Sequence, residues 1–267
     1  MKDAKEIVKE KYGQIAGQNP LSEGSSCCGP SCCGTGADYV MMNDDYANLN
    51  GYNPEADLGL GCGIPTEFAG IKTGDTVVDL GSGAGNDCFV ARALTGETGR
   101  VIGIDMTGPM IEKARGNAEK LGYNNVEFRL GDIEDMPVDS DSTDVVISNC
   151  VLNLVPDKGK AFSEIFRILK PGGHLSVSDI VLRGELPEKI REAAGMYAGC
   201  VSGAIEIEEY LRLMTKAGLT NLLIQKEKAI KIPDEIMLKY LDPSELTDFR
   251  KSDTGIYSIT VYADKPY

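Results

Sequence analysis

Cysteine is the residue type in this sequence with the clearest capacity for chemistry. Four of the eight cysteines lie within the ten residues SSCCGPSCCG: Cys27, Cys28, Cys32 and Cys33. The glycine, serine and proline around them are typical of a loop. Two vicinal cysteine pairs in such a loop could form disulfide bonds, bind zinc, or bind a soft thiophilic element.

The other four cysteines stand in separate contexts along the chain. They are Cys62 in GLGCGIP, Cys88 in NDCFVARAL, Cys150 in SNCVLNLVPDK and Cys200 in GCVSGA. A single cysteine is often a small buried residue, since cysteine without a disulfide is among the most buried residue types. Three cysteines beside glycines or at a strand end, together with four in one loop, favour a chemical role for sulfur instead.

The segment MKDAKEIVKEKYG lacks the apolar core and cleavage site of a secretory leader, and no apolar run reaches membrane-spanning length. We therefore expect a cytoplasmic protein, whose cysteines are ligands or redox groups rather than structural disulfides. The one histidine, His174, lies at an expected strand start, so zinc sites and triads that need histidine are disfavoured. Spacings of C-x-x-x-C or longer between the clustered pairs also differ from the usual zinc knuckle.

Acidic residues outnumber basic ones, and the formal net charge is −14. Nucleic acid and anionic membrane surfaces are therefore poor partners for this chain. The length of 267 residues and the hydrophobic fraction of 42% fit one large domain or a domain with an appended lobe.

Short β-branched runs alternate with helical patterns in the middle of the chain. The runs are TVVDL (76–80), RVIGIDM (100–106), VEFRLGD (126–132), DVVISNC (144–150) and HLSVSDI (174–180). Helical patterns between them include residues 109–121 and the stretch DKGKAFSEIFRILKPGG. The alternation predicts an α/β fold with a doubly wound, mostly parallel sheet. We expect an N-terminal extension (1–72), a cofactor-binding core (73–183) and a smaller α+β C-terminal region (184–267).

An amphipathic helix is predicted at the N-terminus, with Gly13 and Gly17 helping to end it. Its apolar face carries Ala4, Ile7, Val8, Tyr12 and Ile15. Residues 17–38 then have a loop composition, so the clustered cysteines lie between this helix and the core.

The first predicted strand runs into the glycine-rich turn DLGSGAGND, residues 79–87. Gly81 and Gly83 allow the backbone to pass close to a ligand at a strand-to-helix turn. Asn86 stands where a dinucleotide fingerprint has its third glycine, and Asp87 falls in the first helical turn. Because this carboxylate would repel a pyrophosphate at the helix N-terminus, NAD is disfavoured and a nucleoside without phosphates is favoured.

Carboxylates also end the next two predicted strands. Asp105 stands where a carboxylate accepts hydrogen bonds from ribose hydroxyls, and Asp132 follows the third strand, where an adenine edge would lie. A helix cap and a turn residue are the simpler interpretations. The order of these residues after the glycine loop, on successive strands, favours a nucleoside site.

The motifs VVDLGSGAG, GIDM, GDIEDMP and RILKPGG resemble, in this order, those of class I S-adenosylmethionine-dependent methyltransferases. The resemblance implies that Gly81 and Gly83 approach the amino-acid end of the cofactor and that Asp105 holds its ribose. It also implies adenine contacts and a backbone contact near the amino group. The implied cofactor residues are Asp79, Gly81, Ser82, Gly83, Asp87, Asp105, Met106, Asp132, Ile133 and Asn149.

The cysteine contexts GLGCG, SNCVLNLVPDK and GCVSGA around this core resemble the arsenite S-adenosylmethionine methyltransferases, in particular microbial members. The resemblance implies that Cys62, Cys150 and Cys200 bind trivalent arsenic. It also implies that an N-terminal cysteine completes the set. Because the glycine, proline and serine of the cluster make its loop mobile, our own hypothesis is that one of its cysteines, Cys32 or Cys33, exchanges with Cys62. Cys88 matches a cysteine of the family, and its helical position suits core packing equally well.

Trivalent arsenic suits such a site because soft elements select thiolates. Arsenic keeps a lone pair and is itself the nucleophile, so no general base or catalytic metal is expected. The implied substrates are arsenite and methylarsenite, with S-adenosylmethionine as methyl donor and glutathione or thioredoxin as reductant. We expect a monomer. A methyltransferase for an organic small molecule and a non-catalytic, thiol-based metalloid-binding protein are the alternatives.

Overall fold

The computed structural model describes residues 4–17, 44–191, 201, 203–252 and 254–267. Seven β-strands form one sheet: β1 (Thr76–Leu80), β2 (Arg100–Asp105), β3 (Val126–Leu130), β4 (Thr143–Asn149), β5 (Leu169–Arg183), β6 (Thr220–Ile230) and β7 (Gly255–Asp264). The helices are α1 (Ala4–Gly17), α2 (Pro65–Phe68), α3 (Asn86–Thr95), α4 (Gly108–Leu121), α5 (Lys158–Ile168), α6 (Ile207–Lys216), α7 (Asp234–Met237) and α8 (Pro243–Lys251), with a 3₁₀ turn at Leu152–Leu154.

The strand order in the sheet is β3-β2-β1-β4-β5-β7-β6. The first five strands in this order are parallel, and β7 runs antiparallel to both β5 and β6. After β1, the chain adds β2 and β3 on one side of that strand and then β4 and β5 on its other side. Ligands of open α/β sheets bind beyond the carboxyl ends of the strands at such a reversal.

Helices cover both faces of the sheet, as alternate residues of β1 show. Val77 packs in a buried cluster with residues of α3 and α4, including Phe89 and Ile111. Val78 packs in a second cluster with Phe162 of α5 and other residues of α5 and α6. Successive side chains of a strand point to opposite faces, so the two clusters lie on opposite sides of the sheet. The predicted α/β class with a doubly wound, mostly parallel sheet is confirmed.

All five predicted core strands are present, and α4 begins one residue before its predicted start. The start of the fifth strand was predicted wrongly: β5 begins at Leu169, five residues before His174, and continues to Arg183, because its C-terminal part pairs with β7. The N-terminal helix is described from Ala4 to Gly17, and it continues through Gly13, where the sequence predicted a tendency to end. A Cβ on Gly13 would lie 3.9 Å from Thr107 Cγ2, so a small residue there allows α1 to pack closely beside the start of α4.

The residues after 183 contribute β6 and β7 to the same sheet. All ten residues of β7 pair with β5. The division of the chain at 72/73 and 183/184 stays a prediction. His174 lies in β5, with Nε2 2.5 Å from the carbonyl oxygen of Ala69 and its ring beside Tyr262. In the part of the chain that the structure describes, every helix is too short or too polar to cross a bilayer.

Phe162 joins α5 to α6 through an edge-to-face contact with Tyr210, at a centroid distance of 5.3 Å. Phe162→Ala should lower the free energy of unfolding by about 3–5 kcal/mol, because it leaves a cavity between two helices and the sheet. Urea unfolding followed by circular dichroism measures this. Leu223→Ala is the control: this side chain is 54% exposed, and its loss should cost less than about 0.5 kcal/mol. Equal costs for the two variants would contradict this description of the core.

Candidate functional site

A cavity opens at the carboxyl ends of β1, β2 and β4, beside the reversal in strand order. Its volume is about 1080 Å³, including the space open to solvent at its mouth. The cavity brings together all ten residues expected to bind the cofactor: Asp79, Gly81, Ser82, Gly83, Asp87, Asp105, Met106, Asp132, Ile133 and Asn149.

The glycine-rich turn after β1 requires glycine for two different reasons. Gly81 and Gly83 have φ angles of +67° and +51°, in the left-handed region that other residues rarely adopt. A Cβ on Gly81 would also lie 2.4 Å from Val151 Cγ2, whereas one on Gly83 would meet open space. The turn therefore packs closely against the segment after β4 while leaving the backbone at Gly83 accessible.

Three carboxylates line the cavity close to one another. Burial raises the pKa of Asp79 well above its usual value, and the charges of Asp87 and Asp105 raise it further. Burial likewise raises the pKa of Asp105 and raises that of Asp87 to about 6. Since a cation would relieve this repulsion, the cavity is suited to a ligand that carries positive charge.

Asp105 is held at the end of β2 by two backbone hydrogen bonds. Gly83 N donates to Oδ2 at 3.0 Å, and Thr107 N donates to Oδ1 at 2.8 Å. The side chain of Thr107 adds a third hydrogen bond. Two carboxylate oxygens offer about four lone pairs, so Asp105 can still accept a hydrogen bond from a hydroxyl group in the cavity.

Asp132 lines the cavity, but it also forms an ion pair that the sequence did not predict. Lys5 of α1 donates to Asp132 Oδ2 at 2.6 Å and also to Glu134. Burial would raise the pKa of Asp132, but the hydrogen bond and charge of Lys5 outweigh it and hold that pKa below its usual value.

Helix α1 forms one wall of the cavity, through Lys5, Val8 and Tyr12. The spacing of Val8 and Tyr12 on one helical face was visible in the sequence. That spacing indicates that one face of the helix is buried, but it does not show which part of the protein this face packs against. The structure alone therefore shows that this helix, outside the core motifs, lines the cavity.

The structure brings Cys62 and Cys150 together with a third group, Asp179. The two Sγ atoms and a carboxylate oxygen of Asp179 lie within 4.8 Å of one another, and all three residues are buried. Cys150 follows β4 directly, with a φ of +60° and its N–H bonded to Ser178 O at 2.8 Å. A non-glycine residue in the left-handed region is uncommon, and such strain concentrates at functional sites.

The loop that carries Cys62 is fastened to the core on both sides. Cys62 N donates to Asn149 Oδ1 at 3.0 Å, and Ser258 Oγ donates to Cys62 O at 2.5 Å. Its neighbours are glycines because the loop passes so close to the strands. A Cβ on Gly61 would lie 2.7 Å from Asn149 Nδ2, and one on Gly63 would lie 2.6 Å from Ser178 Oγ.

A polar network links this loop to the cavity. The Tyr46 hydroxyl lies 2.8 Å from Asp87 Oδ1 and 3.0 Å from Gly63 O, and it accepts a hydrogen bond from Asn149 Nδ2 at 2.9 Å. Asn149 Nδ2 also lies 3.1 Å from Asp87 Oδ2. The sequence predicted a backbone contact from Asn149 but neither this use of its side chain nor Tyr46.

Asp179 was also missed in the sequence, where it reads as one polar residue within a strand. Ile180 N, Asn153 Nδ2 and Tyr210 Oη donate to its carboxylate at 3.0, 2.7 and 3.2 Å. Burial raises its pKa to about 7 in spite of these bonds. A buried titratable group beside two sulfurs is characteristic of a functional site.

Of the other cysteines, the structure describes Cys88, which is not part of this group. Cys88 is buried in α3, with Sγ 3.2 Å from Asp79 Oδ2. Cys200 and the clustered Cys27, Cys28, Cys32 and Cys33 lie outside the described residues.

Comparisons with known proteins agree with this geometry. A family model described as a methyltransferase domain matches residues 71–218. The chain is 41% identical over 228 residues to an arsenite methyltransferase of Halobacterium salinarum, covering 81% of this chain and 57% of the relative. It is 33% identical over 244 residues to one of Aquipseudomonas alcaligenes, covering 88% of this chain and 68% of the relative.

A solved structure shares both the fold and much of the sequence. It is an arsenic(III) S-adenosylmethionine methyltransferase from Chlamydomonas reinhardtii, 38% identical, with a TM-score of 0.64 over 77% of this chain and 68% of that one. The chain spans a little over half, 57%, of the Halobacterium salinarum protein.

The acidic cavity should bind a cationic ligand less well at low pH. Between pH 7 and pH 5 we expect the affinity for S-adenosylmethionine to fall about tenfold, because Asp87 takes up a proton near pH 6 and loses its charge. Isothermal titration calorimetry measures this. Asp87→Asn is the control, with lower affinity at pH 7 and a smaller change between the two pH values. A wild-type affinity that is the same at both would contradict the electrostatic interpretation.

Proposed function

Because the chain belongs to the arsenite methyltransferase family, we propose that it transfers the methyl group of S-adenosylmethionine to trivalent arsenic bound by cysteine sulfur. The observation that carries this proposal is the buried approach of Cys62 and Cys150 beside the acidic cavity, with their Sγ atoms within 4.8 Å. Cys150 itself lines that cavity. The acceptor sulfurs and the cofactor residues thus belong to one continuous site.

The cavity residues fit S-adenosylmethionine by their chemistry. Asp79, Asp87 and Asp105 offer negative charge to a ligand that carries a sulfonium and an ammonium group. Asp105 can accept hydrogen bonds from ribose hydroxyls in addition to its two backbone bonds. Met106 and Ile133 provide apolar contacts for the adenine, and Asp132 a polar one.

S-adenosylmethionine supplies an electrophilic methyl group on a positively charged sulfur. Arsenic held by two or three thiolates would keep a lone pair and attack that methyl carbon in line: an As–C bond would form as the S–CH₃ bond breaks, and S-adenosylhomocysteine would leave. The methylated arsenic would then be formally pentavalent, and two of its thiolate ligands leaving as a disulfide would return it to the trivalent state. No proton is removed in this step, which explains how a site without histidine can carry it out. The protein contributes positioning, worth several kcal/mol when reacting atoms are held about 3–3.5 Å apart.

We propose Cys200 as the third sulfur ligand of arsenic. We also propose thiol exchange between Cys62 and either Cys32 or Cys33. Cys200, Cys32 and Cys33 lie outside the described part of the chain. Glutathione or thioredoxin would then reduce any disulfide formed at Cys62 before the next turnover. We further propose that the protein is a cytoplasmic monomer and that its substrates are arsenite and methylarsenite.

The direct test incubates the purified protein with arsenite, S-adenosylmethionine and a thiol, and then separates and quantifies the arsenic species. We expect methylated arsenic from the wild type. Cys150→Ser and Cys62→Ser should each reduce its formation at least a hundredfold, because a hard hydroxyl replaces a soft thiolate. Their affinity for S-adenosylmethionine should stay within about twofold of wild type.

Methylation at the wild-type rate by Cys150→Ser would overturn the assignment of the acceptor site. Tight arsenic binding without methyl transfer by the wild type would instead favour a metalloid-binding protein. Methyl transfer to an organic acceptor alone would favour the other alternative.

Gly63→Ala should weaken arsenite binding without touching an arsenic ligand. The added Cβ would lie 2.6 Å from Ser178 Oγ and 2.8 Å from Ser178 Cβ, so the loop must shift away from Ser178 and carry the neighbouring Cys62 with it. Overpacking of about 1–3 kcal/mol corresponds to a loss of affinity of about fivefold to a hundredfold. Equilibrium dialysis with elemental detection of arsenic measures it.

Gly116→Ala is the matched control, since a Cβ there meets no atom within 4 Å, and it should bind arsenite as the wild type does. The double variant Gly63→Ala with Ser178→Gly should recover part of the affinity by removing the clash. Unchanged arsenite binding by Gly63→Ala alone would mean that the close packing of this loop does not position Cys62.

A further inference from the structure

Cys88 is a buried sulfur that the proposed reaction does not use. It is the third residue of α3, its side chain is fully buried, and its thiol donates to Asp79 Oδ2 at 3.2 Å. Among the described residues, it does not belong to the group formed by Cys62, Cys150 and Asp179. Cys88 does not line the cavity itself, but it contacts Asp79, which does.

We propose that Cys88 is a positioning residue for the cofactor, whose thiol fixes one oxygen of the Asp79 carboxylate and leaves the other for the cationic amino-acid end of S-adenosylmethionine. The inference rests on the proposed function, because it takes S-adenosylmethionine as the ligand of the cavity. It assigns to Cys88 a role that differs from both arsenic binding and simple core packing.

The electrostatics around Asp79 show why a donor is needed there. Asp79 is almost fully buried, and the nearby charges of Asp87 and Asp105 favour its neutral form. A hydrogen bond to the ionised carboxylate opposes this effect and helps to keep the charge that a cationic ligand requires. Removal of the donor would leave a buried oxygen without that bond, which is costly for an ionised group.

The same surroundings make Cys88 a poor arsenic ligand. Burial raises the pKa of its thiol well above the usual value, and the charges of Asp79 and Asp87 raise it further. Because the thiolate is the form that binds metals and metalloids, a thiol kept protonated in this way serves as a donor instead.

The experiment compares wild type, Cys88→Ser and Cys88→Ala, with S-adenosylmethionine binding measured by calorimetry in the absence of arsenic. Serine keeps an O–H donor of similar size, so its affinity should stay within about twofold of wild type. Alanine lacks the donor, and we expect its affinity to fall about five- to tenfold at pH 7. The pH at which binding is lost should also move upward in Cys88→Ala, because Asp79 is more readily protonated.

Arsenite binding, measured separately by dialysis, should have the same stoichiometry and affinity in all three proteins. Thermal unfolding checks that each variant folds; if Cys88→Ala does not, Cys88→Val, which fills the space without a donor, takes its place. Failure of the proposed reaction and failure of this inference are distinguishable. A wild type that binds S-adenosylmethionine but does not methylate arsenite would refute the former and leave the latter intact.

Three results would overturn the inference. Wild-type affinity and pH dependence in Cys88→Ala would make Cys88 a packing residue. Equal losses in the serine and alanine variants would show that the donor is not what matters. If either variant bound one arsenic fewer per protein molecule than the wild type, Cys88 would be an arsenic ligand.

Discussion

The side-chain amide of Asn149 makes the contacts on which both halves of the site depend. Its oxygen accepts from the backbone of Cys62, and its nitrogen lies within hydrogen-bond distance of Gly63 O, Tyr46 Oη and Asp87 Oδ2. The amide stands at the last residue of β4, immediately before Cys150. One residue therefore relates the loop of one sulfur to the strand end that carries the other, and connects both to a carboxylate of the cofactor cavity.

The second constraint on the site is an accumulation of buried negative charge. Asp79, Asp87, Asp105 and Asp179 are all carboxylates whose pKa burial raises. Such an arrangement costs stability in the protein alone, because each charge has lost solvent and some repel one another. A bound cation would offset this repulsion. The carboxylates therefore lower the stability of the protein alone and raise its affinity for a positively charged ligand. Asp132, which also lines the cavity, already has a cation, because Lys5 forms ion pairs with it and with Glu134.

In the proposed reaction, sulfur ligands take the place that a general base occupies in many transferases. The strand end at β4 offers Cys150 in a strained backbone conformation, and the loop before α2 offers Cys62 between two glycines. The two glycines allow the Cys62 loop to lie close to Asn149 and Ser178, which a side chain at either position would prevent. For a nucleophile that brings its own lone pair, the site needs soft ligands and exact distances rather than a proton acceptor.

The amino-acid sequence by itself determined the core strands and ten of the residues that line the cavity. Each core strand is a short β-branched run bounded by turn residues, and the carboxyl ends of parallel strands converge, so Asp79, Asp105 and Asn149 had to meet. The pairing of β7 with β5, the wall formed by α1, and the roles of Tyr46, Asp179 and the Asn149 amide were decided by the tertiary structure alone. These features depend on contacts between segments from about 30 to more than 120 residues apart, which local periodicity does not encode. Even the two glycines beside Cys62 look like ordinary loop residues until the strands that crowd them are in place.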